Sequence, residues 1–143
     1  MKTPLSVLLK SKKQDLISVS PDMSIQACID LMNSKKIGAV PVLFKGAIVG
    51  MFTERDVLTK VAAKPIDRDS TDIKKVMTRP VKTVPGSMTV EAAMAMVTSE
   101  RFRHLPVMEA DKFVGIISSG DLTLHMVKAA EQHIEHLESY IQG

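Results

Sequence analysis

The sequence predicts an α/β protein made of two copies of a β-α-β-β-α unit, and three observations carry that prediction. Two stretches, beginning at Val19 and Val84, align without a gap at a constant offset of 65 residues, which is also the separation of Asp56 and Asp121. Each contains one segment with helical periodicity, then two short apolar runs that a turn separates. Each also ends in glycine, two apolar residues, a hydroxyl, two variable residues and an aspartate: "GMFTERD" at 50–56 and "GIISSGD" at 115–121.

The first helix of each unit is predicted by its cap and by its apolar face. A short extended segment ends at Ser18-Val19 or Thr83-Val84, a turn containing proline follows, and Ser24 or Thr89 is placed to cap the helix. The apolar positions then recur at i, i+3, i+4 and i+7, which predicts one buried face. They are Ile25, Cys28, Ile29 and Met32 in the first copy and Val90, Ala93, Met94 and Val97 in the second. We therefore expect Cys28 to be a buried core residue.

A β-hairpin and a second helix complete each unit. The apolar runs "AVPVLF" and "AIVGMF" flank Lys45-Gly46, and "HLPVME" and "FVGIIS" flank residues 110–112. The second helix opens at the aspartate of each motif. The predicted organisation is a first repeat at 1–63, a polar linker with Pro65 at 64–75, a second repeat at 76–127 and a helical extension at 128–143.

The helical pattern after the second motif carries an apolar stripe that one small repeat is too short to cover. Such a surplus predicts packing on a partner chain or on the module's own edge. We expect a homodimer. The stripe consists of Leu122, Met126, Ala129, Ile134, Leu137 and Ile141.

Composition excludes several classes of function. The net charge is +3, with 16 acidic residues interspersed among 19 basic ones, and only four Phe and one Tyr are present to stack on bases. This argues against nucleic acid as a main ligand. No apolar run approaches the roughly 20 residues of a membrane span, and the N-terminus does not read as a signal peptide. We therefore expect a cytoplasmic protein with no membrane partner. One cysteine cannot form a disulfide within the chain.

From Leu16 to Val127 the chain resembles tandem cystathionine-β-synthase (CBS) domains, a pair called a Bateman module. The resemblance is carried by the doubled unit, by "IGAVPV" and "RHLPV" before the hairpins, and by the two motifs after them. It implies two three-stranded sheets packed together with pseudo-two-fold symmetry and two clefts between the repeats. It also implies adenine nucleotides or adenosyl ligands there: AMP, ADP, ATP, S-adenosylmethionine or NAD-type dinucleotides. Most such modules regulate another protein, and this chain looks like a stand-alone module with an unidentified regulated partner.

The chemistry of the motif fits a nucleoside. A carboxylate at a helix start can accept hydrogen bonds from both hydroxyls of a ribose, and Asp56 and Asp121 suit that role. The hydroxyls of Thr53 and Ser118, with the backbone N–H groups of the helix start, suit a phosphate. N-capping alone also explains a hydroxyl and an aspartate at these positions.

The resemblance places adenine against the strand ends before the hairpins and places cations near the phosphates. The adenine residues implied are Ser18, Ile37, Gly38, Ala39, Val40 and Pro41 in the first copy and Thr83 and Phe102 to Pro106, including Leu105, in the second. Arg103 and His104 are the implied phosphate ligands, and Arg55 lies inside the first motif, where the second has Gly120. This asymmetry predicts that the cleft around Thr53, Arg55 and Asp56 binds nucleotide better.

Two rival functions remain at this stage. An enzyme or metal site would have to use the four histidines, of which His133 and His136 lie one turn apart on the predicted tail helix, but no third ligand or catalytic grouping is evident. We expect no catalysis, no metal and no catalytic cofactor. The second rival is a structural interaction protein that oligomerises through its tail, with vestigial ligand clefts.

Overall fold

The computed structural model describes residues 2–12 and 16–142. The chain forms two compact units. The first, which we call the 14–83 unit, comprises Gln14–Thr83 with Met108–Val114. The second, the 84–143 unit, comprises Met1–Lys13, Val84–Val107 and Gly115–Gly143.

The 14–83 unit is built from a capped helix, a hairpin and a short second helix around an apolar core that includes Phe52. Helix α2 spans Ile25–Lys35, and strands β1 (Ala39–Phe44) and β2 (Ala47–Thr53) pair antiparallel. The extended segment at Val19 lies parallel to β1 opposite Val42. Helix α3, Glu54–Asp56, continues as a π-helical turn over Val57–Val61, and a 3₁₀ turn follows at Ile73–Lys75.

The second copy has the same order of elements, and most of it lies in the 84–143 unit. Its strands β3 (Val84–Pro85), β4 (His104–Glu109) and β5 (Lys112–Ser118) form a sheet in the order β3-β4-β5, with helix α4 at Val90–Glu100. The end of its hairpin, Met108–Val114, is part of the 14–83 unit. Helix α5 spans Ser119–Gln142. Helix α1, Leu5–Lys12, packs in the 84–143 unit because Leu5 and Leu8 are buried and because Leu5 N donates to the carbonyl oxygen of Met88 at 2.8 Å.

The predicted caps and turns are confirmed, and the predicted faces are confirmed in part, since Ile29, Met94 and Val97 are only half-buried. Ser24 Oγ accepts from Ala27 N at 3.1 Å, and Thr89 Oγ1 accepts from Ala92 N at 3.2 Å. Both hairpins turn through two consecutive residues with positive φ, at 45–46 and 110–111, the geometry whose twist matches that of the flanking strands. Cys28 is fully buried, and desolvation raises the pKa of its thiol to about 11.

The second helices differ greatly in length, although the same motif starts both. In the 14–83 unit the helical segment ends at Val61, shortly before Pro65, which disfavours helix at the residue before it. In the 84–143 unit no proline or glycine interrupts α5 after Asp121, and it runs to Gln142. The predicted α/β fold class, with its long C-terminal helix, is confirmed. No helix in the described part of the chain has the length and hydropathy that a membrane crossing requires.

Candidate functional site

The two motifs form the same turn at the start of a helix. Thr53 N donates to Asp56 Oδ2 at 3.0 Å, and Asp56 N donates back to Thr53 Oγ1 at 3.2 Å. In the second copy Ser118 N donates to Asp121 Oδ2 at 2.8 Å, and Asp121 N donates to Ser118 Oγ at 3.0 Å. Each hydroxyl–carboxylate pair therefore satisfies backbone donors that a helix start leaves open, which is the capping interpretation of the motif.

The glycine that begins each motif lies close against a side chain from another part of the sequence. A Cβ on Gly50 would lie 2.4 Å from Met77 Sδ, and a Cβ on Gly115 would lie 2.7 Å from Leu9 Cδ2. Gly115 also has φ +154°, which side-chain-bearing residues rarely adopt. A residue from a segment distant in sequence thus packs directly on the strand that leads into each turn.

The segment before each hairpin is fastened to the turn by one equivalent backbone hydrogen bond. Glu54 N donates to the carbonyl oxygen of Gly38 at 3.0 Å, and Ser119 N donates to the carbonyl oxygen of Arg103 at 2.8 Å. These four residues occupy matching positions in the two repeats. The structure therefore brings the predicted adenine segment and the predicted ribose motif together within each copy.

The carboxylate of Asp56 is buried and fully occupied. Its side chain is 5% exposed. Oδ2 receives Thr53 N and also Thr53 Oγ1, the latter at 3.2 Å. Oδ1 receives Thr78 Oγ1 at 2.8 Å and lies 3.1 Å from Lys60 Nζ. Four donors match the roughly four lone-pair sites of a carboxylate, so a ligand has to displace one of them to bind here.

The carboxylate of Asp121 is more open and carries an ion pair. Its side chain is 27% exposed, and Lys12 Nζ lies 2.7 Å from Oδ2, the same oxygen that receives Ser118 N. Burial raises the pKa of Asp121, but the hydrogen bonds from Lys12 and Ser118 and the charge of Lys12 outweigh it, so the pKa is below its ordinary value. The group is therefore ionised at neutral pH and holds an ammonium.

The remaining predicted site residues divide by burial. Val40, Pro41, Leu105 and Pro106 are buried, so their side chains belong to the core as well. Ala39 is buried too, and it pairs with Thr53 across the hairpin. Thr53, Ser118, Ile37, Gly38 and His104 are half-buried, and Ser18, Arg55, Thr83 and Arg103 are exposed. Phe102, next to Arg103, is 37% exposed.

Sequence reasoning missed the cations and hydroxyl that contact the motif carboxylates. Lys60 lies four residues after Asp56 on the same helical segment, a spacing that predicts an ion pair and was available in the sequence. Thr78 and Lys12 lie 22 and 109 residues from their aspartates, and no local pattern marks them.

The histidines of the tail give no metal site in the described residues. His133 and His136 are exposed on α5. Across residues 2–12 and 16–142, no group of three or more His, Cys, Asp or Glu side chains is placed to hold a metal ion.

Comparisons with known proteins agree on one family. The family model of the CBS domain matches residues 11–63 and 73–128. The CBS domain-containing protein YhcV of Bacillus subtilis is 31% identical over 110 residues, which cover 77% of this chain and 78% of YhcV. The crystal structure of the CBS domain protein NE2398 is 33% identical, with a TM-score of 0.83 over 89% of this chain and 99% of that one.

A more distant solved structure contains ligands. The CBS domain pair of protein MJ0100 was crystallised in complex with 5′-methylthioadenosine and S-adenosyl-L-methionine. It is 21% identical and has a TM-score of 0.78, over 90% of this chain and 99% of that one. At this identity the likeness shows the fold alone.

Proposed function

The chain belongs to the CBS-domain family, and on that premise we propose that it is a regulatory module that binds an adenosyl ligand and catalyses no reaction. The observation that carries the site is the carboxylate of Asp121, which is 27% exposed at the start of a helix and receives Lys12 Nζ and Ser118 N on Oδ2. Oδ1 is the oxygen to which a ribose hydroxyl would donate.

The other parts of the ligand fit the surroundings of this carboxylate. Ser118 Oγ and the N-terminal end of α5 suit a phosphate. The exposed ring of Phe102 lies one residue before Arg103, whose carbonyl oxygen is bonded to Ser119 N, so this ring suits the base. The ligands of the MJ0100 pair support the adenosyl class. We keep Thr83, His104, Leu105 and Pro106 in the proposed site.

We propose the motif of Thr53, Arg55 and Asp56 as the weaker of two sites. The sequence favoured it, because Arg55 adds a charge that Gly120 does not. The burial of the two carboxylates favours tighter binding at Asp121 than at Asp56. Asp56 is 5% exposed, and its four lone-pair sites are occupied. A ribose there must first break the hydrogen bond to Thr78 or the ion pair to Lys60.

Thermal unfolding with and without ligand tests the proposed function. AMP, ADP, ATP, S-adenosylmethionine and NAD are each added to the full chain, and a ligand at about 100 times its dissociation constant should stabilise it by about 2.7 kcal/mol. We expect Asp121→Ala to remove most of the shift and Asp30→Ala, on the exposed side of α2, to keep it. No shift with any of the five, or a full shift in Asp121→Ala, would contradict the site.

The exposed face of α5 favours a second, compatible function, which is self-association. Val127, Ile134, Leu137 and Ile141 are 47%, 54%, 46% and 81% exposed, and with Ala130 they repeat at alternating intervals of three and four residues. This is the a/d spacing of a coiled coil. We propose that the partner is a second copy of the chain lying parallel, because a parallel pair sets His133 at g against Glu138 at e, whereas an antiparallel pair sets Glu131 and Glu138 near each other.

Light scattering on shortened and substituted chains tests the self-association. A chain ending at Lys128 and the variant Leu137→Glu are both expected to have the mass of one chain, while the full chain has the mass of two. Ser139→Glu, which lies outside the a/d positions, is the matched control and should stay dimeric. A monomeric full chain, or a dimer that survives Leu137→Glu, would refute this assignment.

A further inference from the structure

The last residue of α1 reaches the carboxylate that we assign to the ribose. Lys12 Nζ lies 2.7 Å from Asp121 Oδ2 and donates to the carbonyl oxygen of Ile116 at 2.9 Å. Its side chain is 20% exposed, so both ends of this ion pair are partly shielded from water. We propose that Lys12 makes the Asp121 turn selective for nucleosides that carry a phosphate, an inference that rests on the proposed function.

The argument starts from the lone pairs of the carboxylate. Each oxygen of a carboxylate accepts about two hydrogen bonds, and Ser118 N and Lys12 Nζ already occupy Oδ2. We place one ribose hydroxyl on each oxygen of Asp121, as in a bidentate pair, and this arrangement needs a lone pair of Oδ2 as well as one of Oδ1. Ser118 N cannot leave without opening the cap of α5, so Lys12 is the donor that gives way.

The ammonium moves while the helix that carries it stays in place. Helix α1 is held by the buried side chains of Leu5 and Leu8 and by a backbone hydrogen bond from Ser6 N to the carbonyl oxygen of Gly86 at 3.0 Å. The side chain of Lys12 has four flexible carbons, so its ammonium can change position while its Cα stays fixed. Displacement therefore requires a change of rotamer and no unfolding of α1.

The fate of the displaced charge distinguishes ligand classes. A neutral nucleoside breaks the ion pair and offers Lys12 no anion in return. A nucleoside 5′-phosphate offers one on the same sugar, and hydrogen bonds between an ammonium and a phosphate are among the strong ones. A ligand with a sulfonium cation is repelled by the same lysine. Of the adenosyl ligands considered above, the nucleotides are thus favoured.

Isothermal titration of the full chain with AMP and with adenosine tests this, because the two ligands differ only in the phosphate. The wild type is expected to bind AMP more tightly. Lys12→Gln should reduce the ratio of the two affinities about tenfold, the size of one charge-assisted hydrogen bond at a partly exposed site, with AMP weakened and adenosine unchanged or tightened. Lys12→Arg keeps the charge and should keep most of the preference.

Lys10→Gln is the matched control, since it removes the same charge from an exposed position two residues earlier on α1, and its ratio should equal that of the wild type. If AMP and adenosine change by the same factor in Lys12→Gln, or if neither changes, the role of Lys12 is refuted while the proposed function stands. If the wild type binds neither ligand, the role of Lys12 is refuted, while the proposed function is decided by thermal unfolding with the remaining ligands.

Discussion

Replacing Asp56 with alanine is expected to destabilise the protein by about 3 kcal/mol, far more than a surface substitution. The side chain is 5% exposed and accepts hydrogen bonds from Thr53 N and Thr53 Oγ1 and from Thr78 Oγ1, besides its ion pair with Lys60. Loss of a helix cap costs about 1 kcal/mol, and hydrogen bonds to charged groups contribute about 1.5–3 kcal/mol each. These contributions all come from one carboxylate, and the cost of burying its charge offsets part of them. The expected net loss of stability is therefore about 3 kcal/mol.

Urea denaturation at neutral pH, followed by circular dichroism and by a second probe to establish a single transition, measures this loss. Asp121→Ala is the internal comparison and should cost about 1 kcal/mol, because that carboxylate is 27% exposed and has two close donors. Asp30→Ala is the exposed control and should stay within about 0.5 kcal/mol of the wild type. If Asp56→Ala lowers the free energy of unfolding less than Asp121→Ala does, the structural role that we assign to the buried carboxylate of Asp56 is refuted.

Three further predictions concern packing, reactivity and pH. Gly50→Ala should cost about 1–3 kcal/mol in denaturation, because its Cβ would lie 2.4 Å from Met77 Sδ; adding Met77→Ala should recover part of that loss, and no recovery would contradict the packing explanation. Cys28, with its pKa raised to about 11 by burial, should react with a thiol reagent at pH 8 only as fast as the protein opens; rapid labelling of native protein would contradict its placement. The pKa of Asp121 is lowered in the folded state, so the stabilisation by its carboxylate is present above its ordinary pKa and is lost as pH falls through the folded value. In thermal unfolding, Lys12→Gln should therefore reduce the fall of the unfolding temperature at acid pH. An unchanged fall would contradict the ion pair.

Local features of the fold were predictable from the sequence because their causes are local. The caps at Ser24 and Thr89 depend on a hydroxyl and an N–H three residues apart. The hairpin turns depend on two residues between apolar runs. Because the sequence repeats, the order of elements predicted for the first copy also predicts the order in the second. The capping geometry of both motifs was predictable for the same reason.

Apart from the ion pair between Lys60 and Asp56, the electrostatics of the site were not predictable, because they depend on residues far away in the chain. The two carboxylates are contacted by Thr78 and Lys12, which lie 22 and 109 residues from their partners. A single sequence contains no signal for such contacts. The prediction for the first cleft compared the charges of Arg55, Arg103 and His104 with the residues at matching positions, and it did not consider which donors occupy each carboxylate.

In each repeat, two residues from another part of the chain contact the glycine and the aspartate of the motif. The difference in the proposed roles of the repeats follows from the chemistry of the side chain on the aspartate. The segment that precedes Val84 places Met77 on Gly50 and Thr78 on Asp56, and the segment that precedes Val19 places Leu9 on Gly115 and Lys12 on Asp121. The backbone of Thr78 forms hydrogen bonds with Met51 in both directions, at 2.7 and 3.0 Å, and its short side chain keeps the hydroxyl near Asp56. A lysine on a flexible stem can exchange its carboxylate for another anion. On this argument the first motif is mainly a structural element, and the second is where binding of a phosphorylated ligand would change the contacts of the chain.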